Sequence, residues 1–220
     1  TTGHTHTHIH TRTMSCCPPG SHGYLASDHK DQGKIVKVNE VDVYETGSHK
    51  ENLVLLISDV WGWNSGRVRA VADTLSTEQG FYIAVPKVLE PPFEGGTDGD
   101  GLPPDFAIGQ RMDDLVNNVK THWGVEQALP KVQSVIKGYA AKGVKGLGLI
   151  GYCYGGWLGF HVAAAGNSPV PVLCGVTSHP SLALEGVFGR DPIALGDNVT
   201  CPWQFHPAGK RDGEGADPTY

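Results

Sequence analysis

The chain has 220 residues, the size of one domain with room for a tail. Apolar residues make up 39%, enough for a core, and the longest apolar run, residues 53–57, is far too short to span a bilayer. A net charge of −6 without a Lys/Arg cluster argues against nucleic acid or an anionic membrane as a partner, and the opening Thr/His residues lack the apolar stretch of a secretion signal, so a cytoplasmic address is expected.

Residues 1–13, TTGHTHTHIHTRT, offer almost nothing to bury and read as a disordered Thr/His-rich tail ahead of Met14. Residues 14–220 read as the folded domain. Cys16 and Cys17 stand before Pro18 and Pro19, without a second Cys/His pair at zinc spacing, and read as part of an N-terminal arm. Five cysteines, an odd number without a secretion signal, argue against a disulfide framework.

Ile35, Val36, Val38, Val41, Val43 and Tyr44 predict two short strands turning at Asn39-Glu40. Residues 53–57 form a continuous apolar run, as expected of a strand buried on both faces. Val68, Val71, Ala72 and Leu75 fall at helical spacing. A strand is predicted over 81–85, closed by Pro86, then a Gly/Pro/Asp-rich loop over 90–105. One amphipathic helix is marked by Ile108, Met112, Leu115, Val116 and Val119, and a second by Leu129, Val132, Ile136, Tyr139 and Ala140. A strand over 147–150, a helix over 154–165 packed through Gly155, Gly156 and Gly159, and strands over 170–177 and 203–206 complete the chain. Apolar strands alternating with helices predict a mostly parallel sheet with helices on both faces. In such sheets ligands sit at the carboxyl ends of the strands.

The segment Gly151-Tyr152-Cys153-Tyr154-Gly155-Gly156 lies between a strand and a helix and matches the nucleophile elbow of α/β-hydrolases, with Cys153 in the nucleophile position. Small residues two before and two after let strand and helix approach closely. The turn sets the sulfur at a helix N-terminus, where unpaired N–H groups and the helix dipole favour a thiolate. The N–H of Tyr154 then faces the oxyanion position, and the loop after the 53–57 strand is expected to supply a second donor from Val60. Asp59 projects toward the same cleft, either to hold the resting thiol or as a base, with a loop-turning role as the alternative. Trp61, Tyr152 and His179 are expected to line the site. An acid should follow the 203–206 strand, and Asp212 fits best, with Asp217 in reserve. Cys174 and Cys201 lack such a context and read as core or strand-end residues; His161 and His206 read as structural.

Several stretches in the same order resemble the dienelactone hydrolase (carboxymethylenebutenolidase) family, its eukaryotic branch above all. They are Met14-Ser15-Cys16-Cys17-Pro18, Asp59-Val60-Trp61-Gly62-Trp63 with Arg67 and Arg69, the elbow, His179-Pro180-Ser181, and Cys201-Pro202 leading to Pro207-Ala208-Gly209. The resemblance implies an α/β-hydrolase fold and hydrolysis of a lactone or small ester by a cysteine nucleophile, without cofactor or metal. It makes Cys153 the nucleophile, Asp212 the acid and Asp59 the carboxylate at the resting thiol. The chain departs from the pattern in three ways. Asp59 stands where bacterial members carry Glu. Asp212 aligns only after a one-residue shift. No histidine follows His206, so the family's last strand and its triad histidine are expected to be missing by truncation, and this chain is expected to be weakly active or inactive. A β-glucan hydrolase and a catalytically impaired binding or redox-sensing homologue are the alternatives. Oligomeric state and the individual substrate are not legible.

Overall fold

The computed structural model describes residues 28–65, 67–96 and 100–207. The Thr/His segment, Cys16, Cys17, Asp212 and Asp217 lie outside these residues.

Among the described residues, seven strands form one sheet in the order β1-β2-β4-β3-β5-β6-β7. β1 (Lys34–Val38) and β2 (Val41–Thr46) make the hairpin expected at Asn39-Glu40. Both turn residues have positive φ, 45° and 69°, as a two-residue hairpin that follows strand twist requires. β2 pairs antiparallel with β4 (Ile83–Pro86), while β4, β3 (Asn52–Ile57), β5 (Gly146–Tyr152), β6 (Val172–Ser178) and β7 (Trp203–His206) run parallel.

Alternation along β3 sorts the core into two layers. Leu53, Leu55 and Ile57 join α2 (Met112–His122), α3 (Val125–Ala141) and α4 (Tyr154–Ala163) in the larger cluster. Leu56 joins Val68 and Ala72 of α1 (Val68–Gln79) in the smaller one, with Tyr44, Trp63, Ile83 and Val85. A strand buried on both faces needs exactly such a continuous apolar run and cannot show an alternating pattern. The expected doubly covered, mostly parallel sheet is what the chain forms.

Four details differ from expectation. Ile108 sits in a turn, and α2 begins only at Met112, after Gly109 has interrupted the helical period. Two short helices, α5 (Leu184–Val187) and α6 (Pro192–Asp197), follow β6. The start of β6 is uncovered, with Leu173 and Cys174 both exposed, so Cys174 is not a core residue. Gly159 does not make a close approach: a Cβ there would stand 3.8 Å from the Trp203 ring, an ordinary contact.

Candidate active site

The parallel register sets the ends of four strands in one row. Ile57 pairs with Gly151, Gly151 with Thr177, and Thr177 with Phe205. Asp59, Cys153, His179 and Pro207 therefore all lie two residues beyond one line across the sheet, with neighbouring backbones about 5 Å apart. Cys153 is flanked by the chain of Asp59 on one side and that of His179 on the other.

Cys153 joins β5 to α4 with φ 52° and ψ −115°, a conformation that costs a non-glycine residue about 1–3 kcal/mol. The glycines around it make the turn possible. A Cβ on Gly151 would stand 2.5 Å from the carbonyl oxygen of Gly155, and one on Gly155 would collide with the carbonyl oxygens of Ile57 and Ser58. The start of α4 is thus pressed directly onto the end of β3. The elbow is held from β6 as well: the Cys153 N–H donates to the Ser178 carbonyl at 3.1 Å, and the Ser181 N–H donates to the Cys153 carbonyl at 2.9 Å.

Cys153 is 6% exposed, yet it belongs to neither hydrophobic cluster. Its Sγ lies 3.2 Å from the hydroxyl of Ser181. Tyr154 is the first residue of α4, so its N–H precedes the first intrahelical bond and is directed at the turn. Its side chain is fully buried and donates its hydroxyl to the Trp123 carbonyl at 2.7 Å. The Tyr152 ring is partly covered and packs on the smaller cluster, its phenol pushed upward by burial.

Asp59 and Val60 occupy the loop after β3. An Asp59 carboxylate oxygen accepts the Trp61 N–H at 2.9 Å, so the loop-turning role is present. Burial pushes Asp59 up to about 6, against the opposing effects of the Trp61 N–H, the electrostatic influence of His179 and the Ser65 hydroxyl. Asp59 and His179 thus flank the elbow from the strands on either side of β5. His179 is exposed, has φ 38°, and donates its backbone N–H to the His206 carbonyl at 2.7 Å. Trp61 and Val60 are buried, and Val60 accepts the Leu102 N–H at 2.9 Å.

Two residues passed over in the sequence organise this region. Asp100 is fully buried and accepts the N–H groups of Trp63 and Leu89, each at 2.7 Å, which ties the 90–105 loop beneath the Asp59 loop. Burial pushes its carboxyl up to about 6. Ser181 was visible only as a member of the His179-Pro180-Ser181 turn; nothing local marks it as a neighbour of the sulfur.

His29, Asp31 and Asp73 bring possible metal-ligand atoms within 4.8 Å of one another. Their arrangement is a structural lock: Arg69 pairs with Asp31 at 2.7 Å, while His29, the Gln32 N–H and the Tyr44 hydroxyl bond Asp73. Arg69 also lies over the Tyr44 and Trp63 rings. Among the described residues no helix is long and apolar enough to cross a membrane.

A mostly parallel sheet with a strained strand-to-helix cysteine at its carboxyl edge defines an α/β-hydrolase fold. Solved structures agree: a protein assigned as a dienelactone hydrolase from Klebsiella pneumoniae is 16% identical, with a TM-score of 0.53 covering 80% of this chain and 68% of that one. A doubly substituted form of the esterase E40 is also 16% identical, with a TM-score of 0.52 covering 84% and 67%. Among curated proteins, the hydrolase pyvD of Aspergillus violaceofuscus is 25% identical over 203 residues, 87% of this chain and 74% of that protein. The chain belongs to the dienelactone hydrolase family, whose sequence model matches residues 41–215. Membership places it among the carboxylic ester hydrolases.

Proposed function

We propose that this protein hydrolyses a lactone or small carboxylic ester through a thioester formed on Cys153. The observation that carries the reading is the position of the Cys153 sulfur: on a positive-φ residue at the end of β5 and the start of α4, outside both apolar clusters. A merely structural cysteine has no reason to occupy a strained turn.

The Cys153 thiolate attacks the carbonyl carbon, forming the C–S bond while the π electrons move to oxygen. The N–H groups of Tyr154 and Val60 receive that oxyanion, each donor contributing about 100- to 1,000-fold in rate. Collapse breaks the C–O bond, and the alkoxide or enolate leaves, taking a proton from solvent that the hydrolytic step returns. Water then attacks the thioester carbonyl, the C–S bond breaks, and acid and thiolate are released. A lactone gives the acid and the hydroxyl or enol on one molecule. Trp61, Tyr152 and His179 line the substrate side, and Asp59 acts as the carboxylate beside the resting thiol.

Asp212 serves as the triad acid in this reading. Its support is the family match, which extends to residue 215, and the position of β7, whose end at His206 and Pro207 lies beside the 178–181 turn. The test is hydrolysis of p-nitrophenyl acetate and of a cyclic enol-lactone by the protein and by its Cys153→Ala and Cys153→Ser variants. Loss of the turnover that this chain retains is expected in the alanine variant, as for a removed nucleophile. Unchanged turnover there would end the proposal.

A further inference from the structure

The buried carboxylates away from the elbow are fully engaged by the fold. Asp73 holds the 29–32 segment, Asp100 holds two loops, and Glu185 accepts from Trp157 and Arg190 and bonds His161. The turn after β6 differs, because its polar side chain meets the reacting sulfur.

We propose that Ser181 is a catalytic residue whose hydroxyl donates a hydrogen bond to the Cys153 thiolate, fixing the sulfur for attack and favouring its ionised form. This rests on the reading of Cys153 as the nucleophile. The Oγ···Sγ separation is 3.2 Å, a hydrogen-bond distance for sulfur.

The serine cannot drift from that position. Its own N–H donates to the Cys153 carbonyl at 2.9 Å, so main chain and side chain grip the same residue. Leu184 N–H donates to the Ser181 carbonyl at 3.0 Å, tying it to the start of α5. Pro180 sits against Gly156, where an added Cβ would stand 2.7 Å from the proline Cβ. On the far side, the His179 N–H to His206 carbonyl bond anchors the turn to β7. A donor set in place before reaction needs no reorganisation when charge appears on sulfur.

In the resting thiol either group donates. When the thiol gives its proton to solvent, the serine hydroxyl turns its hydrogen to the sulfur anion. Hydrogen bonds to the charged form favour it. Once the sulfur is acylated it becomes a poor acceptor, so the bond is strongest in the form that attacks.

The test is the pH dependence of iodoacetamide alkylation at Cys153, resolved by peptide mass from the other cysteines, Cys16, Cys17, Cys174 and Cys201, in the whole protein. In Ser181→Ala the alkylation midpoint is expected to rise by about one pH unit, leaving about tenfold less thiolate at a given pH below it. Ser181→Thr keeps the hydroxyl and is expected to restore the midpoint. Thermal unfolding of each variant separates this effect from damage to the turn. An unchanged midpoint in a stable alanine variant, or the same rise in the threonine variant, would overturn the assignment. Cys153→Ala separates the two readings. Surviving ester hydrolysis there removes the nucleophile itself, whereas a dead Cys153→Ala with a flat Ser181→Ala profile sinks only the serine.

Discussion

Replacing Asp59 by asparagine should stabilise the protein at neutral pH. Burial raises this carboxyl from the ordinary 3.8 to about 6 in the folded chain. The folded state therefore holds the proton over a pH range where the unfolded state has released it. Stability contributed at this site is greatest below pH 4, falls as pH rises through 4 to 6, and is flat above. A shift of about two units corresponds to an upper bound of about 3 kcal/mol of destabilisation at pH 8, of which about half is already felt at pH 5. Asparagine keeps an oxygen for the Trp61 N–H, so the turn survives. Urea unfolding at pH 5 and pH 8 should show a gain of about 1–3 kcal/mol at pH 8 and a smaller gain at pH 5. The thermal midpoint at pH 8 should rise by about 2–4 °C per kcal/mol. A variant less stable than the parent at pH 8 would refute the reasoning, because it would mean the charge is held by more than the groups that surround it here.

Gly155→Ala should cost about 3 kcal/mol, since its Cβ lands on main-chain oxygens of β3 that cannot yield; thermal unfolding reads the loss, and ester turnover should fall with it. Gly159→Ala, only four residues on, should instead raise stability by about 0.5–1 kcal/mol, because helix propensity improves and the Trp203 ring lies at ordinary contact distance. Glu185→Ala should destabilise by about 3 kcal/mol, leaving Trp157, His161 and Arg190 without their shared acceptor; chemical denaturation would show it, and an unchanged midpoint would contradict the buried network.

The features that were legible in the sequence share one property: their cause is local. The Asn39-Glu40 hairpin, the apolar β3 run and the Gly151-to-Gly156 elbow each carry their reason within a few residues. α5 spans four residues and α6 six, too short for a helical period to appear. α6 starts at a local cap, the Asp191 side chain accepting the Ile193 N–H at 2.9 Å just before Pro192. The exposure of Cys174 was hidden because an apolar run does not reveal what covers it. Asp59 lies in the loop after β3, as its sequence position indicates, but its weakened acidity comes from burial by elements distant in sequence. Ser181 was marked only as part of the His179-Pro180-Ser181 stretch: its contact with Cys153 arises from the pairing of β5 with β6 and the wrap of the 178–181 turn.

The central claim is that Cys153 carries the acyl group. Acid quench of the protein during turnover of p-nitrophenyl acetate, followed by peptide mass analysis, tests it directly. An acetyl group on the peptide holding Cys153, absent from Cys153→Ala, is the expected result. Acetyl found on a serine instead, with the Cys153 peptide unmodified, would contradict it.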